Sequence, residues 1–479
     1  MRESASGRSE LGLYLALDEQ PSHLPQYRRL FMALRDMILS GDLPSGRQLP
    51  PTRQLASILG ISRNTAKSAY EQLQAEGFIH ARPGRGSEVA RLPERHQASH
   101  ATTPVKCQTL VAAEVRAEVA AEPRTLPLQP AIPALDAFPL NRWRQCLARA
   151  SGSPHLLASP PAGEPLLRAQ IAQWLARQRG MRVSPEQIVV TSGSQQGLDL
   201  IARHLLTPGD KVVLETPGFP GTAHSMAAAG GDCLFWPQQA LAQAQLPPTA
   251  RLLLVTPSRN FPLGHSLDAH ARLALLQWAD DVGAWIIEDD YDSEFAVGEA
   301  HTSLFSLSAH PRVIYTGTFS RTMFPGLRLG YLVLPEDQVE AVLQLRRYAD
   351  GGLSSLTQRA LGLWMAEGHY DRHLSRMKRL YAKRRSQLLS LLSETPASDW
   401  PCLDAGGGIH LVLGLPVTWS DRALEARLAA VGVGSRALSL YQAATDQQAR
   451  QGIVLGFAGW DQTVMRAAVM QLARVLNEH

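Results

Sequence analysis

Lysine, cysteine and long apolar runs are all scarce in this chain of 479 residues. Of its 47 lysines and arginines only five are lysines, Lys67, Lys106, Lys211, Lys378 and Lys383, so chemistry that needs a side-chain amine has few possible carriers. The four cysteines, Cys107, Cys146, Cys233 and Cys402, stand far apart without metal-ligand spacing. They read as structural thiols, and nothing argues for disulfides. No stretch reaches the roughly 18 uninterrupted apolar residues that a membrane helix needs. The opening "MRESASGRSELG" also lacks the apolar run of a signal peptide. The expectation is a cytoplasmic chain with no membrane partner. With 45% hydrophobic and 19% charged residues the composition is globular, and the length suggests about two to four domains.

Charge is present but unevenly spread. Between positions 21 and 90 nine cations (Arg28, Arg29, Arg35, Arg47, Arg53, Arg63, Lys67, Arg82, Arg85) face five acids (Asp36, Asp42, Glu71, Glu76, Glu88), a surplus of four. The whole chain is also +4, so everything else sums to zero. A basic module on a neutral body implies a polyanion partner for that module alone.

The basic module has helical periodicity from Tyr27 through Leu30, Phe31 and Leu34 to Ile38, with Gly41 at the place of a C-terminal cap. "LPPTRQLASILG" predicts a short second helix ending at Gly60. "ISRNTAKSAYEQLQAEG" opens a third, with Ser62 as its N-cap. Two helices joined by "LGIS" make a helix-turn-helix, and "FIHARPGRGSEVA" reads as a hairpin wing. Ser62, Arg63, Asn64 and Thr65 lie at the start of the third helix and Lys67 one turn on, where they can reach phosphates and base edges in a major groove. Arg53 at the second helix, and Gly84 with Arg85 at the wing tip, suit phosphate contact. Double-stranded operator DNA is the expected partner. This segment, 21–91, resembles a GntR-type winged helix-turn-helix, an α+β fold.

Residues 92–127 are rich in Ala, Pro, Thr and charge and predict a linker, with one marginal helical stretch at 111–121. From 128 to 479 short β-rich runs alternate with amphipathic helices, which predicts an α/β domain on a largely parallel sheet. Ligand sites in such domains lie beyond the carboxyl ends of the strands. Several polar clusters fall there. "TSGSQQG" puts Gly193, Ser194 and Gln195 at a helix start, where free N–H groups can hold a phosphate. "IIEDDYDSEF" ends a buried strand with Asp289 and Tyr291, an acid fit to pair with a protonated pyridine nitrogen and a hydroxyl fit to bond a phenolic oxygen. Phe219 could stack on a flat ring, and Arg328 is a phosphate ligand candidate.

The order of these clusters resembles the fold-type I aminotransferases, and more closely the MocR-type regulators, which join a GntR-type head to an aminotransferase-like body. The resemblance covers nearly the whole chain. It implies a head-to-tail homodimer whose body senses pyridoxal 5'-phosphate, an amino-acid adduct of it or another small anionic effector. It implies cofactor contacts for Ser194, Gln195, Phe219, Asp289, Tyr291, Thr318, Ser320 and Arg328. The departures lie at the cofactor. In "GTFSRTMFPGLRLG" the family's Schiff-base lysine is Arg321, and the tyrosine that the family lends to the neighbouring subunit is Ala158. Phe219 stands for a tyrosine, and Arg259 with Asn260 for the common His-Gln pair.

Covalent attachment needs a neutral amine, and a guanidinium stays protonated and is a poor nucleophile. The expectation is a transcriptional regulator that holds its ligand non-covalently, without catalysis. An active aminotransferase, resting on the retained Asp289, Tyr291 and Arg328, is the alternative, and a body used only for dimerisation is a third. Arg436 and Arg450 are candidates for a substrate carboxylate.

Overall fold

The fold is described from a computed structural model, over residues 24–82, 86–92, 125–152, 154–157, 159–296, 302–308, 312–443 and 449–478. Gly84, Arg85, Ala158, Lys106 and the helical stretch expected at 111–121 lie outside the described residues.

Among the described residues the head has three helices, α1 (Gln26–Leu39), α2 (Thr52–Leu59) and α3 (Arg63–Ala75), and an antiparallel hairpin of β1 (Ile79–Arg82) and β2 (Gly86–Val89). Leu30, Phe31, Leu34 and Ile38 of α1 face a core shared with Leu55, Leu59, Ala66 and Leu73. The helix ends where glycine permits it. Ser40 caps α1, one position before the cap that the sequence suggested at Gly41, which follows at φ +85°. Gly60 ends α2 in the left-handed region. The Ser62 side chain accepts from the Thr65 N–H at 3.0 Å, which satisfies one of the free donors of α3 and fixes where that helix begins.

The body carries a seven-stranded sheet of β3 (Ile188–Thr191), β4 (Lys211–Thr216), β5 (Asp232–Pro237), β6 (Ala250–Val255), β7 (Trp285–Asp290), β8 (Val313–Thr318) and β9 (Gly330–Val333). Their order is β3-β9-β8-β7-β6-β4-β5, and β9 alone runs against its neighbours. Strands such as "IVVT" and "VIYTGT" are buried along their whole length because helices cover both faces of the sheet. Ile188, Val190 and Val333 point into one core, and Leu252, Ile287 and Ile314 into another.

A smaller unit follows: β10 (His410–Gly414), β11 (Arg436–Ala437) and β12 (Gly452–Gly456), all antiparallel, packed on the helices His369–Leu392 and Gln462–Asn477. The segment that enters the body is bound to this unit. Gly434 N–H donates to the Pro127 carbonyl and Gly456 N–H to that of Leu128, both at 2.6 Å. These bonds bring Ala131 beside the loop that follows β8.

Candidate functional site

The carboxyl ends of β3, β4, β6, β7 and β8 open onto one edge of the sheet, and the turn before the reversed β9 returns there. The sequence-predicted ligand residues therefore meet, although 134 positions separate Ser194 from Arg328.

Asp289 ends β7. Its Oδ1 is buried and makes no hydrogen bond. Burial, followed by the neighbouring Asp290 and Glu215 carboxylates, pushes its pKa up to about 7. Across the parallel register Thr316 of β8 stands opposite, and its buried hydroxyl is also without a partner. A dry acceptor with no donor suits a cationic N–H group. The helix Ser194–Leu205 starts from Gly193 (φ +80°) with no side-chain cap, so its first N–H groups are free of one. Arg328, itself at φ +51°, donates to the Ser192 carbonyl at 3.3 Å. A Cβ added to Gly193 would lie 3.8 Å from its guanidinium carbon. Uncapped N–H groups beside a guanidinium form an anion cradle.

Other predicted residues are oriented by the protein itself. The Gln195 amide donates to the Gly221 carbonyl at 2.7 Å and to Ser225 Oγ at 2.5 Å, so its side chain braces the helix Pro220–Ala228. Thr318 Oγ1 accepts from the Ser320 N–H at 3.2 Å, which shapes the turn after β8. Tyr291 donates its hydroxyl to the Asn260 carbonyl at 3.4 Å. Phe219 is 47% exposed, edge-on to Phe261 at 6.0 Å.

Arg321 leaves that turn half-buried, and Nη1 donates to the Ala131 carbonyl at 2.6 Å. Burial draws its pKa down, opposed by Asp292, Tyr291 and Tyr441, so the guanidinium lies among pocket groups. Lys67, Lys211, Lys378 and Lys383 are exposed, and Lys211 opens β4 at the opposite edge of the sheet. Among the described residues no lysine stands in the pocket.

Residues that sequence reasoning did not assign complete the site. Arg259 is buried against Asp292, with Nε 3.1 Å from Oδ1, and donates to the carbonyls of Gly406 and Gly407. Burial raises the Asp292 pKa against the pull of Arg259 and Arg321. Phe261 packs edge-on against Tyr441 at 4.9 Å and against Tyr291 and His410 at 5.6 Å each. Burial pushes His410 down to about 4, so it is neutral at pH 7. The acid was visible in "EDDYDSEF", but its pairing was not, because Arg259 and Asp292 lie on different strand ends. Of the two carboxylate candidates, Arg436 pairs with Glu425 at 3.1 Å and Arg450 is exposed.

On the head, Arg53, Ser62, Arg63, Asn64 and Lys67 are exposed and Thr65 is half-buried. Lys67 pairs with Glu71 at 3.4 Å. Arg28 and Arg35 are buried, so the cation count of the head overstates the charge on its surface.

This arrangement of sheet, uncapped helix and acidic strand end defines an aminotransferase body. The sequence profile of the class I and II aminotransferases matches residues 131–451, and that of the bacterial regulatory proteins of the gntR family matches 26–89. The chain belongs to the MocR-type transcriptional regulators, in which these two families are joined. It is 35% identical over 475 residues to the probable rhizopine catabolism regulatory protein MocR of Rhizobium meliloti, covering 96% of this chain and 95% of the relative. It is 33% identical to the pyridoxine biosynthesis transcriptional regulator PdxR of Corynebacterium glutamicum, over 96% of this chain and 97% of the relative. The solved structure of LysN, the alpha-aminoadipate aminotransferase of Thermus thermophilus, matches with a TM-score of 0.66 and 28% identity, over 74% of this chain and 92% of that one. No helix among the described residues is long and apolar enough to cross a membrane.

Asp289 makes a pH prediction. Its folded pKa of about 7 lies above the ordinary carboxyl value near 4, so the folded state favours the proton. That share of stability is full below about pH 4 and is lost as pH rises through 7. Asp289→Asn removes the dependence. The ligand-free variant should melt above the wild type at pH 8, and the gap should widen by about 1–3 kcal/mol from pH 5 to pH 8. Thermal unfolding across that range checks it, and a gap that narrows with pH would contradict the assignment.

Proposed function

We propose that the head reads an operator through the start of α3 and the wing, and that the body holds pyridoxal 5'-phosphate or a related anionic ligand without turning it over. The observation that carries this reading is Arg321. It stands in the turn after β8 with its guanidinium in the pocket, where an amine would be needed for covalent attachment.

The remaining residues fit the ring and the phosphate. The buried, partnerless Asp289 Oδ1 would hold a protonated ring nitrogen. Ser194 with the first turn of its helix, Ser320 and Arg328 would hold the phosphate, while Tyr291 and Thr318 line the ring and Phe219 covers it. Bound there, the cofactor would supply an electron-withdrawing ring beside an amino-acid substrate. This chain would position the ring, exclude water with the Phe261 cluster and hold the ring-nitrogen proton against the Asp289 carboxylate. It offers no base of suitable pKa at position 321 to move a proton between carbon atoms. The ligand is thus read rather than consumed.

In the proposed domain plan, 21–91 binds DNA, 92–127 links, and 128–479 senses and dimerises, in the cytoplasm. A second copy of the chain fits the surface around a cavity of about 420 Å³ lined by Leu157, Ser159 and residues 351–356. Leu157 is 93% exposed there, and Tyr348, 89% exposed, stands close by in sequence. Apolar side chains this open suit a partner surface.

Three measurements test these readings. Arg63→Ala should cost about 1–3 kcal/mol of operator affinity, and binding should weaken steeply with salt. Unchanged affinity or a flat salt response in a gel shift would contradict the DNA-reading face. Light scattering at micromolar concentration should give a dimer for the full chain, and a monodisperse monomer would remove the second copy. In the third test, pyridoxal phosphate and borohydride should leave the wild type unlabelled, whereas Arg321→Lys should be labelled at residue 321. Stoichiometric labelling of the wild type at one residue would show that another lysine serves, and the reading of a non-covalent, disabled site would be abandoned.

A further inference from the structure

The recognition helix does not end in solvent. Glu76, the C-cap of α3, is only 4% exposed, and what buries it is the body. Its carboxylate Oε2 accepts from the Thr302 N–H at 3.0 Å, and its backbone carbonyl accepts from the Ala269 N–H at 2.7 Å. Ala269 is the first residue of the body helix Ala269–Val282, so its N–H has no partner within that helix. Its side chain lies in the core of the head. Within the head, Gln72 one turn back donates to Glu76 Oε1 at 3.0 Å, which holds the carboxylate towards Thr302. A second attachment lies on α1, where Arg28 Nη2 donates to the Gln178 carbonyl at 2.9 Å.

Both attachments land beside buried arginines that grip the pocket loops. Arg272 donates from Nη1 to the Thr302 carbonyl at 2.8 Å, from Nη2 to that of Pro257 at 2.6 Å and from Nε to that of Leu267 at 2.8 Å. Arg179, next to Gln178, donates to Ser258 Oγ at 2.6 Å and pairs with Asp290 at 2.9 Å. Pro257 and Ser258 lead directly into Arg259 and Asn260, and Asp290 lies between Asp289 and Tyr291. Thr302 and the Arg272 guanidinium therefore separate Glu76 from a pocket wall, and the Arg179 side chain separates the Gln178 carbonyl from one.

We propose that the surface presented by Ala269, Thr302 and Gln178 is a docking face for the C-terminal end of the recognition helix, and that Glu76 acts on it as a positioning residue that makes DNA reading and pocket occupancy interdependent. This rests on the ligand-sensing reading above. A ligand that shifts the loop 257–260 or the end of β7 pulls on Arg272 and Arg179, and these hold the groups to which Glu76 and Arg28 are bonded. An ion-pair and hydrogen-bond chain of this kind transmits because its buried members cannot give up one partner without taking another. Coupling between two sites is reciprocal, so operator DNA must change ligand affinity by the same factor as ligand changes operator affinity.

The experiment uses the full chain, wild type, Glu76→Ala and Glu76→Gln, with pyridoxal phosphate as the probe. Hydrogen exchange reads the docking: the amides of Thr302 and Ala269 should exchange at least about tenfold faster in Glu76→Ala. Glu76→Gln, whose amide oxygen still accepts, should stay near the wild type. Operator affinity with and without pyridoxal phosphate, and pyridoxal phosphate affinity with and without operator, read the coupling. Both ratios should be equal in the wild type and fall to about one in Glu76→Ala, with pyridoxal phosphate binding to the free protein unchanged. Unaltered exchange in Glu76→Ala, or a ratio that survives it, overturns the proposal. A wild type that binds operator but shows no response to pyridoxal phosphate while exchange still quickens in Glu76→Ala overturns the sensing reading and the interdependence, and leaves only the docking face.

Discussion

Asp290, at the end of β7, accepts three hydrogen bonds, from Tyr315 Oη at 2.7 Å, Ser293 Oγ at 2.8 Å and the Ser293 N–H at 3.3 Å, and forms an ion pair with Arg179 at 2.9 Å. The site depends on this carboxylate. With Asp290 fixed, the chain must present Asp289 before it and Tyr291 and Asp292 after it, on the same edge of the sheet. Arg179 is fully enclosed, and Glu288 and Asp290 give it partners that water cannot. Removing one partner from such a pair typically costs about 3–5 kcal/mol, because the other charge is left buried and alone. The pair therefore contributes more to holding one arrangement than to overall stability.

That rigidity lets two neighbouring carboxylates differ. Asp290 has three hydrogen-bond donors and the Arg179 guanidinium, and needs no ligand. Asp289, one residue away and equally buried, has an oxygen with none and a pKa pushed up to about 7. The first is structural and the second is poised for a cation. The same division separates the arginines. Arg179, Arg259 and Arg272 are held by carboxylates and carbonyls on several sides, whereas Arg321 donates to the Ala131 carbonyl and faces the pocket. In the proposed reading, a charge in that position favours an anionic ligand and withholds the amine.

The head shows a comparable economy of parts. Ser62 starts the recognition helix and Glu76 ends it, and the two ends have different tasks. The first turn, with Arg63 and Asn64 exposed, is free to approach DNA, while the last turn is fastened to the body. A helix held at its far end transmits a tilt along its length, because its hydrogen bonds make it stiff over its roughly four turns.

Local rules made much of this legible in the sequence. Ser62 three residues before Thr65, Gly60 after an apolar run and the alternation of strand and helix each follow from chemistry within one or two turns of chain. The clusters "TSGSQQG" and "IIEDDYDSEF" could be placed at strand ends for the same reason. Long-range partners were decided only by tertiary structure. Glu76 read as one acid among five in a basic module, and Arg28 as one of nine surface cations, until the body covered both. Arg259 met Asp292, and Gln195 turned to Ser225, across strands whose neighbours no pattern of period 2 or 3.6 specifies. The sequence by itself determined which segments form helices and strands and which position lacks an amine, because those depend on the residue and its near neighbours. Which charges are buried together, and that the DNA-reading helix rests on the pocket's own scaffold, were decided by packing, since burial removes the water that would otherwise make every charge alike.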